Sequence, residues 1–186
     1  MHIGILSPNK SLKDLVAIEL ANYLGAHKIL KSNIPDYFAS LLFEDVQRFA
    51  LLHQNDAYGQ ILLALWQSKN NHQVVSSVTL IEEIINTKKL YQENKLDEKD
   101  YRLSLSIAEE HCKALPDFDI YFLVHDVNDD IKTYFQNIIA LENIHHVDQN
   151  KIIVLPINSK MIDAEWKMFL KKVSENIDLH LASGGY

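Results

Sequence analysis

The sequence predicts a three-layer α/β/α domain built on a parallel sheet of about five strands. Short apolar or β-branched runs alternate with long amphipathic segments along the whole chain, which is typical of this fold class. The clearest run, residues 118–124, is apolar enough to be buried on both faces of a sheet. The chain has only 5 glycines and 4 prolines in 186 residues, which disfavours a sandwich or a barrel. Residues 1–178 are assigned to one domain, and residues 179–186 to a flexible tail.

The first element is a strand, a loop and a helix. Residues 2–6 form an apolar run, residues 7–10 a polar turn, and residues 11–24 carry apolar side chains at three- and four-residue spacing. Gly25 supplies a left-handed stop for this helix. Nucleotide-binding proteins place a phosphate loop in the same frame of strand, loop and helix.

The loop departs from the phosphate-loop motif at most of its positions. In G-x-x-x-x-G-K-[ST], glycines let backbone N–H groups approach phosphates, the lysine neutralises charge and the hydroxyl holds magnesium. Residues 7–14 read S-P-N-K-S-L-K-D, so only Lys13 matches. Ser7 and Leu12 replace the glycines, and their Cβ atoms are expected to crowd the backbone. Asp14 replaces the hydroxyl, and its charge is expected to occupy part of the place of a phosphate.

The same alternation of strands and helices continues to the end of the chain. Further strands are predicted at residues 26–30, 73–79, 118–124 and 151–155. Further helices are predicted at residues 37–42, 46–68, 80–93, 97–115, 128–141 and 161–177. Asp97 and Asn128 can cap the helices that follow them. The helix at residues 46–68 is apolar on more than one side, which predicts burial in the domain centre or against another subunit.

Composition excludes several classes of function. The net charge of −7 disfavours nucleic acid as a partner. No apolar stretch approaches the length of a membrane span, and the first residues form no signal segment, so we expect a cytoplasmic protein without a membrane partner. A single cysteine, Cys112, excludes an internal disulfide and multi-cysteine zinc sites. Its acidic neighbours raise the pKa of the thiol, which predicts a buried structural residue.

Three strings along the chain are more specific than the alternation itself. Residues 43–50 read F-E-D-V-Q-R-F-A and are followed by Gln54; residues 90–101 contain L-Y and then L-D-E-K-D-Y; residues 115–123 read L-P-D-F-D-I-Y-F-L. Together they resemble segments of the bacterial deoxynucleoside kinases, a family of phosphate-loop kinases. The resemblance covers residues 1–177 and implies the three-layer fold of that family. These strings are mainly scaffold, so they indicate fold more strongly than activity.

The resemblance transfers few functional residues. The family's catalytic glutamate falls at residues 31–33, where the nearest acid is Asp36, and its sugar-binding tyrosine falls at Phe43. An acidic-Arg-Ser triplet falls at residues 77–79, which read S-V-T. The aromatic residue that stacks on the base falls at Thr87, or at Asn86 with a one-residue shift. The arginine-rich lid falls at residues 128–141, which contain no arginine.

Two candidate site residues remain, and neither is assigned a catalytic role. Lys13 can bind a phosphate, or it can be an ordinary lysine on a helix surface. Gln54 can read a nucleobase edge, or its carboxamide can bond to neighbouring protein groups, and the sequence leaves both open.

Other polar groups are assigned no role in chemistry. The acidic pairs at residues 82–83 and 109–110 are expected to form solvated helix faces. His145 and His146 with Asp148 lack a further ligand at suitable spacing, so no metal site is predicted.

The leading hypothesis is a degenerate deoxynucleoside kinase-like protein that is catalytically inactive, needs no cofactor and acts by binding or assembly. The resemblance implies pairing through helices, so a homodimer or a complex with an active kinase paralogue is expected through residues 46–68 and 97–115. One alternative is an active kinase that uses ATP and magnesium, with Lys10, Lys13 and Lys31 supplying charge. Another is a nucleoside or nucleotide sensor that depends on Gln54.

Overall fold

A computed structural model describes residues 1–34, 38–127, 131–140, 148–158 and 163–182, and it confirms the predicted fold class. The five strands are β1 (His2–Leu6), β2 (His27–Ile29), β3 (Val74–Ser76), β4 (Ile120–Asp126) and β5 (Ile152–Ile157). The helices within these ranges are α1 (Lys10–Leu24), α2 (Ala39–Glu44), α3 (Val46–Gln67), α4 (Leu80–Gln92), α5 (Glu98–Ala114), α6 (Lys132–Ile139) and α7 (Asp163–Ala182).

The strands form one parallel sheet in the order β2-β3-β1-β4-β5. The central strand β1 is buried on both faces because helices cover both sides of the sheet. Ile3 and Ile5 face the side covered by α1 and α7, whereas Leu6 faces the side covered by α3 to α6. The carboxyl ends of β1 and β3 are therefore side by side, and the segments that follow these two strands converge there.

The first strand, loop and helix have the predicted form. Gly25 ends α1 with a φ of 66°, the left-handed conformation expected at this position. Gly4 in β1 is required for a different reason: a Cβ there would lie 2.5 Å from a ring carbon of Tyr121 on β4. Asp97 caps α5 as predicted, because its carboxylate accepts a hydrogen bond from the backbone N–H of Asp100 at 2.8 Å.

Differences from the predicted elements occur mainly at their ends. The final helix continues to Ala182, so residues 179–182 are helical, and the rest of the predicted tail, residues 183–186, lies outside the described ranges. The predicted cap Asn128, the acid Asp36 and the pair at residues 145–146 also lie outside them. In the described ranges, no helix combines the length and the apolar character needed to cross a membrane.

Candidate functional site

The loop after β1 uses its own side chains to satisfy its backbone N–H groups. Ser7 Oγ accepts from the N–H of Asn9 at 3.1 Å, and Asn9 Oδ1 accepts from the N–H of Leu12 at 3.1 Å, which caps α1. Pro8 has no N–H to donate. In a phosphate loop such groups point at the ligand. Here the N–H groups of Asn9 and Leu12 are bonded to side-chain oxygens of the loop itself.

A carboxylate from another helix completes the loop. Glu82, in the first turn of α4, accepts through Oε1 from the N–H of Ser7 at 3.3 Å and from the hydroxyl of Tyr134 at 2.7 Å. Its Oε2 forms an ion pair with Lys13 Nζ. The side chains of Lys13 and Glu82 are only 6% and 11% exposed. The lysine that matches the phosphate-loop motif is thus bound to an internal anion.

The expectation that the charge of Asp14 occupies part of the place of a phosphate was wrong. Its carboxylate accepts from the backbone N–H groups of Lys31 and Ser32, at 3.2 and 3.1 Å, and from the hydroxyl of Ser77. Asp14 therefore joins the short 3-10 turn after β2 (Lys31–Asn33) to the end of β3. Leu12 buries its side chain in the core beneath α1, and crowding of a phosphate by its Cβ stays a prediction.

The acidic pair at residues 82–83 is not a solvated helix face, contrary to the prediction. Glu83 forms an ion pair with Lys31 Nζ at 2.8 Å and accepts from Asn86 Nδ2 at 3.2 Å. Its side chain is 9% exposed. Both acids were misjudged because their lysine partners are far away in the sequence, where helical spacing gives no signal.

The two neighbouring carboxylates have opposite pKa shifts. Burial raises the pKa of Glu82, and the ion pair with Lys13 offsets only part of this effect. Burial also acts to raise the pKa of Glu83. The charge of the Lys31 ammonium and the hydrogen bonds that Glu83 accepts from Lys31 and Asn86 outweigh burial, so the pKa of Glu83 is lowered. The pKa of Asp14 is also lowered, because hydrogen bonds from Ser77, Ser32 and Lys31 outweigh its burial.

A pocket of about 90 Å³ remains between these groups, which is small beside the roughly 300–1,000 Å³ of typical ligand sites. The charged and hydroxyl side chains around it include Lys10, Lys13, Lys31, Glu82, Glu83 and Tyr134. Two of the three lysines are neutralised by the two glutamates, which leaves Lys10, an exposed residue. The pocket therefore has little of the positive charge that a polyphosphate site requires.

Gln54 lies in a buried polar network. It is 3% exposed, and its Oε1 accepts from Thr87 Oγ1 at 2.9 Å, while its Nε2 lies 3.2 Å from His53 Nδ1. Thr87 Oγ1 also lies 2.9 Å from the carbonyl oxygen of Glu83 and within hydrogen-bond distance of the Tyr58 hydroxyl. The threonine has one proton and two pure acceptors beside it, so Tyr58 must donate to Thr87. The carboxamide of Gln54 is thus bonded to protein groups, and base reading by Gln54 stays a prediction.

The remaining positions carry little of the family's chemistry. Thr87, where the base-stacking aromatic was expected, is completely buried. The buried Thr79 hydroxyl has no hydrogen-bond partner in the described ranges. The helix α6 contributes Lys132 and no arginine. Cys112 is half-buried, and burial together with Glu109 raises the pKa of its thiol to about 11, so it is protonated at neutral pH.

The fold and the loop together define a class of domain: a parallel α/β domain in which the loop after β1 leads into a helix that carries a buried lysine, Lys13. Among solved structures, deoxyadenosine kinase from M. mycoides with products dCMP and dCDP is similar, with a TM-score of 0.70 and 19% identity over 96% of this chain and 99% of that one. Thymidylate kinase from Candida albicans has a TM-score of 0.57 and 14% identity over 96% of this chain and 92% of that one.

A NadR protein in complex with NR is also similar, with a TM-score of 0.64 and 11% identity over 94% of this chain and 50% of that one. No protein-family model matches the sequence, and no curated protein matches it. The chain therefore has a deoxynucleoside kinase-like fold, as the sequence predicted, and at these identities the likeness establishes the fold alone.

Proposed function

We propose that this chain is a deoxynucleoside kinase-like protein that does not transfer phosphoryl groups and acts by binding or assembly. One observation carries the proposal: the Glu82 carboxylate holds both Lys13 and the N–H of Ser7. Phosphoryl transfer depends on positioning and on positive charge near the transferred group. A carboxylate in this position repels a phosphate and occupies the donors that would bind it.

A radiolabelled phosphoryl-transfer assay over the deoxynucleosides, with ATP or GTP and magnesium, tests this proposal. We expect no product above the level of a sample without protein. Lys13→Ala and Lys10→Ala form a matched pair, because each removes one lysine beside the pocket while only Lys13 is buried. Turnover that is lost in Lys13→Ala and retained in Lys10→Ala would show that the chain is an active kinase.

The exposed apolar residues of α3 support assembly. Leu52, Leu63 and Trp66 are 49%, 50% and 50% exposed, although α3 also carries a fully buried face. Leu63 and Trp66 follow Leu52 by about three and four helical turns, so the three side chains lie on one side of α3. On the adjacent helix α5, Leu103 is 46% exposed. We propose that this surface pairs with a second copy of the chain or with a related kinase, as the resemblance implies.

Analytical ultracentrifugation tests this second part. We expect a dimer for the wild-type chain and a monomer for Leu63→Glu, because a buried charge at a small apolar interface prevents association. Met168→Glu on α7 is a matched control, since Met168 is also exposed and lies on a different helix. A monomeric wild-type chain that also captures no kinase from its own lysate would contradict assembly through α3.

A further inference from the structure

We propose that Glu82 is an autoinhibitory side chain, which closes an otherwise competent oxyanion site by acting as its internal anion. This inference rests on the proposed function and specifies which residue blocks the loop. It places the obstruction on α4, and not on the loop positions where glycines are missing. The ligand class that Glu82 excludes is a phosphate-sized oxyanion.

The first support is the origin of the three donors. The N–H of Ser7 comes from the loop after β1, Lys13 Nζ comes from α1, and the Tyr134 hydroxyl comes from α6. Three separate elements thus direct donors at one anionic group. A hydroxyl, an amide and an ammonium group are the donors that bind oxyanions in proteins, and they do not require a carboxylate in particular.

The second support is the position of the non-glycine residues of the loop. Leu12 is 4% exposed and packs beneath α1, so its side chain points away from the donors. Ser7 Oγ accepts from the N–H of Asn9, so this oxygen is engaged within the loop. If the Glu82 side chain were absent, the side chains of Ser7 and Leu12 would not block the three donors, which are the N–H of Ser7, Lys13 Nζ and the Tyr134 hydroxyl.

The third support is the space beside the carboxylate. The pocket of about 90 Å³ is lined by Glu82 and by all three of its donor residues, and it is also lined by the exposed Lys10. Substitution of Glu82 by alanine would enlarge this pocket by the volume that the carboxylate now occupies. The enlarged site would contain Lys13 without its ion-pair partner, and Glu83, which is paired with Lys31, would be the remaining carboxylate in the lining.

Glu82→Ala tests the proposal directly, with inorganic phosphate and pyrophosphate as probes and isothermal titration calorimetry as the measurement. We expect the variant to bind at least one of them about ten-fold more tightly than the wild-type chain, which corresponds to one restored charge interaction. Glu98→Ala is the matched control, because it removes one carboxylate from an exposed ion pair on α5 and should leave phosphate binding unchanged. Lys13→Met combined with Glu82→Ala should lose the added binding.

Tyr134→Phe provides a graded test without loss of charge. It removes one of three donors to Glu82, so the carboxylate is held less firmly, and the anion also loses a donor. We expect phosphate affinity to remain near the wild-type value in Tyr134→Phe alone. In Tyr134→Phe combined with Glu82→Ala, we expect affinity to fall below that of Glu82→Ala.

Glu82→Gln covers the case in which Glu82→Ala is unfolded, since it keeps the shape and removes the charge. Phosphate or pyrophosphate should raise the melting temperature of the variant more than that of the wild-type chain, whereas sodium acetate and sodium chloride at the same ionic strength should raise it less. If a variant is unfolded in chloride, refolding by pyrophosphate would support the proposal, and failure to refold would overturn it.

Equal binding by the wild-type chain and both Glu82 variants would overturn the proposal, as would binding that survives Lys13→Met. These outcomes are distinct from failure of the proposed function. Radiolabel transfer by the wild-type chain would contradict inactivity, whereas the anion titrations involve no turnover and test only whether Glu82 closes the site.

Discussion

Two buried polar clusters contain the predicted site residues Lys13 and Gln54, and the two clusters differ in charge. The loop cluster consists of Ser7, Lys13, Glu82 and Tyr134, and it contains an ion pair. The glutamine cluster consists of His53, Gln54, Tyr58 and Thr87, and its bonds join uncharged amide and hydroxyl groups with one imidazole. In both clusters the chain itself supplies the partners that a ligand would supply.

α4 supplies a partner to both clusters. Glu82 reaches the loop from the first turn of α4, and Thr87 reaches Gln54 from the middle of the same helix. The two clusters should nevertheless respond differently to substitution. Removing one member of a buried ion pair leaves an unpaired charge, whereas removing one member of a neutral network leaves an unpaired dipole.

The largest effect is expected in the loop cluster. Lys13→Met leaves Glu82 buried without its cation, and we expect the free energy of unfolding to fall by about 3–5 kcal/mol. The double variant Lys13→Met/Glu82→Leu should recover most of this loss, because two apolar side chains replace the pair. Urea unfolding of the single and double variants measures both effects. A double variant no more stable than Lys13→Met would mean that the pair is not coupled as described.

A smaller effect is expected in the glutamine cluster. Thr87→Val keeps the shape of the side chain and removes the hydroxyl, so Gln54 Oε1 and the Tyr58 hydroxyl each lose a partner. We expect a loss of about 1–3 kcal/mol in the free energy of unfolding. Chemical denaturation measures it, and Thr133→Val, at an exposed position on α6, serves as the control. A loss equal to that of the control would show that the network contributes nothing.

The pH dependence of these two losses should separate the clusters. Because the pKa of Glu82 is raised, its buried carboxylate lowers stability most at neutral pH, and protonation on acidification removes that cost. The loss caused by Lys13→Met should therefore shrink as the pH falls from 7 towards about 4.5, close to the ordinary value for glutamate. The loss caused by Thr87→Val should change less over this range, because the carboxamide and hydroxyl groups that it leaves without a partner do not titrate there. Thermal melts at several pH values test the difference, and parallel curves for both variants would contradict it.

The contributions of Asp14 and Glu83 to the stability of the folded chain should depend on pH in the opposite sense to that of Glu82. Their lowered pKa values mean that they stabilise the folded chain above the ordinary range of carboxylates, and that this contribution is lost as the pH falls through their folded values. Asp14→Asn should therefore destabilise the chain at pH 7 and have a smaller effect below about pH 4. Melting curves of the variant and the wild-type chain provide the test; a constant difference across this range would refute it.

The smallest effect is expected for an ion pair at the surface. Arg102 and Glu98 form a pair one helical turn apart on α5, with side chains 76% and 63% exposed. Arg102→Ala should change the free energy of unfolding by no more than about 0.5 kcal/mol, because solvent screens such pairs. Urea unfolding at low and high salt checks this value. A loss as large as that of Lys13→Met would contradict the prediction that a buried ion pair contributes more to stability than an exposed one.

Much of the fold could be predicted from the sequence because its signals are local. The apolar spacing of α1, the glycine that ends it and the aspartate that caps α5 each act within a few residues, and all three were confirmed. The site was predicted less well. The sequence predicts a solvated face for Glu82 and Glu83, whereas both form ion pairs with lysines. It predicts that the Asp14 charge takes part of the place of a phosphate, whereas Asp14 binds the turn after β2.

The sequence by itself determined the order of strands and helices, the parallel sheet and the loss of the phosphate-loop glycines. Only the tertiary structure decided which groups Lys13 and Gln54 bond to. Lys13 and Glu82 are 69 positions apart, and Gln54 and Thr87 are 33 apart. Periodicity and capping describe neighbours along one element. Lys13 and Glu82 meet because β1 and β3 are adjacent in the sheet and each strand is followed by the helix that carries one of these residues, whereas Gln54 and Thr87 meet because α3 packs against α4. Burial then makes each pairing necessary, because an unpaired charge or amide inside the domain is costly.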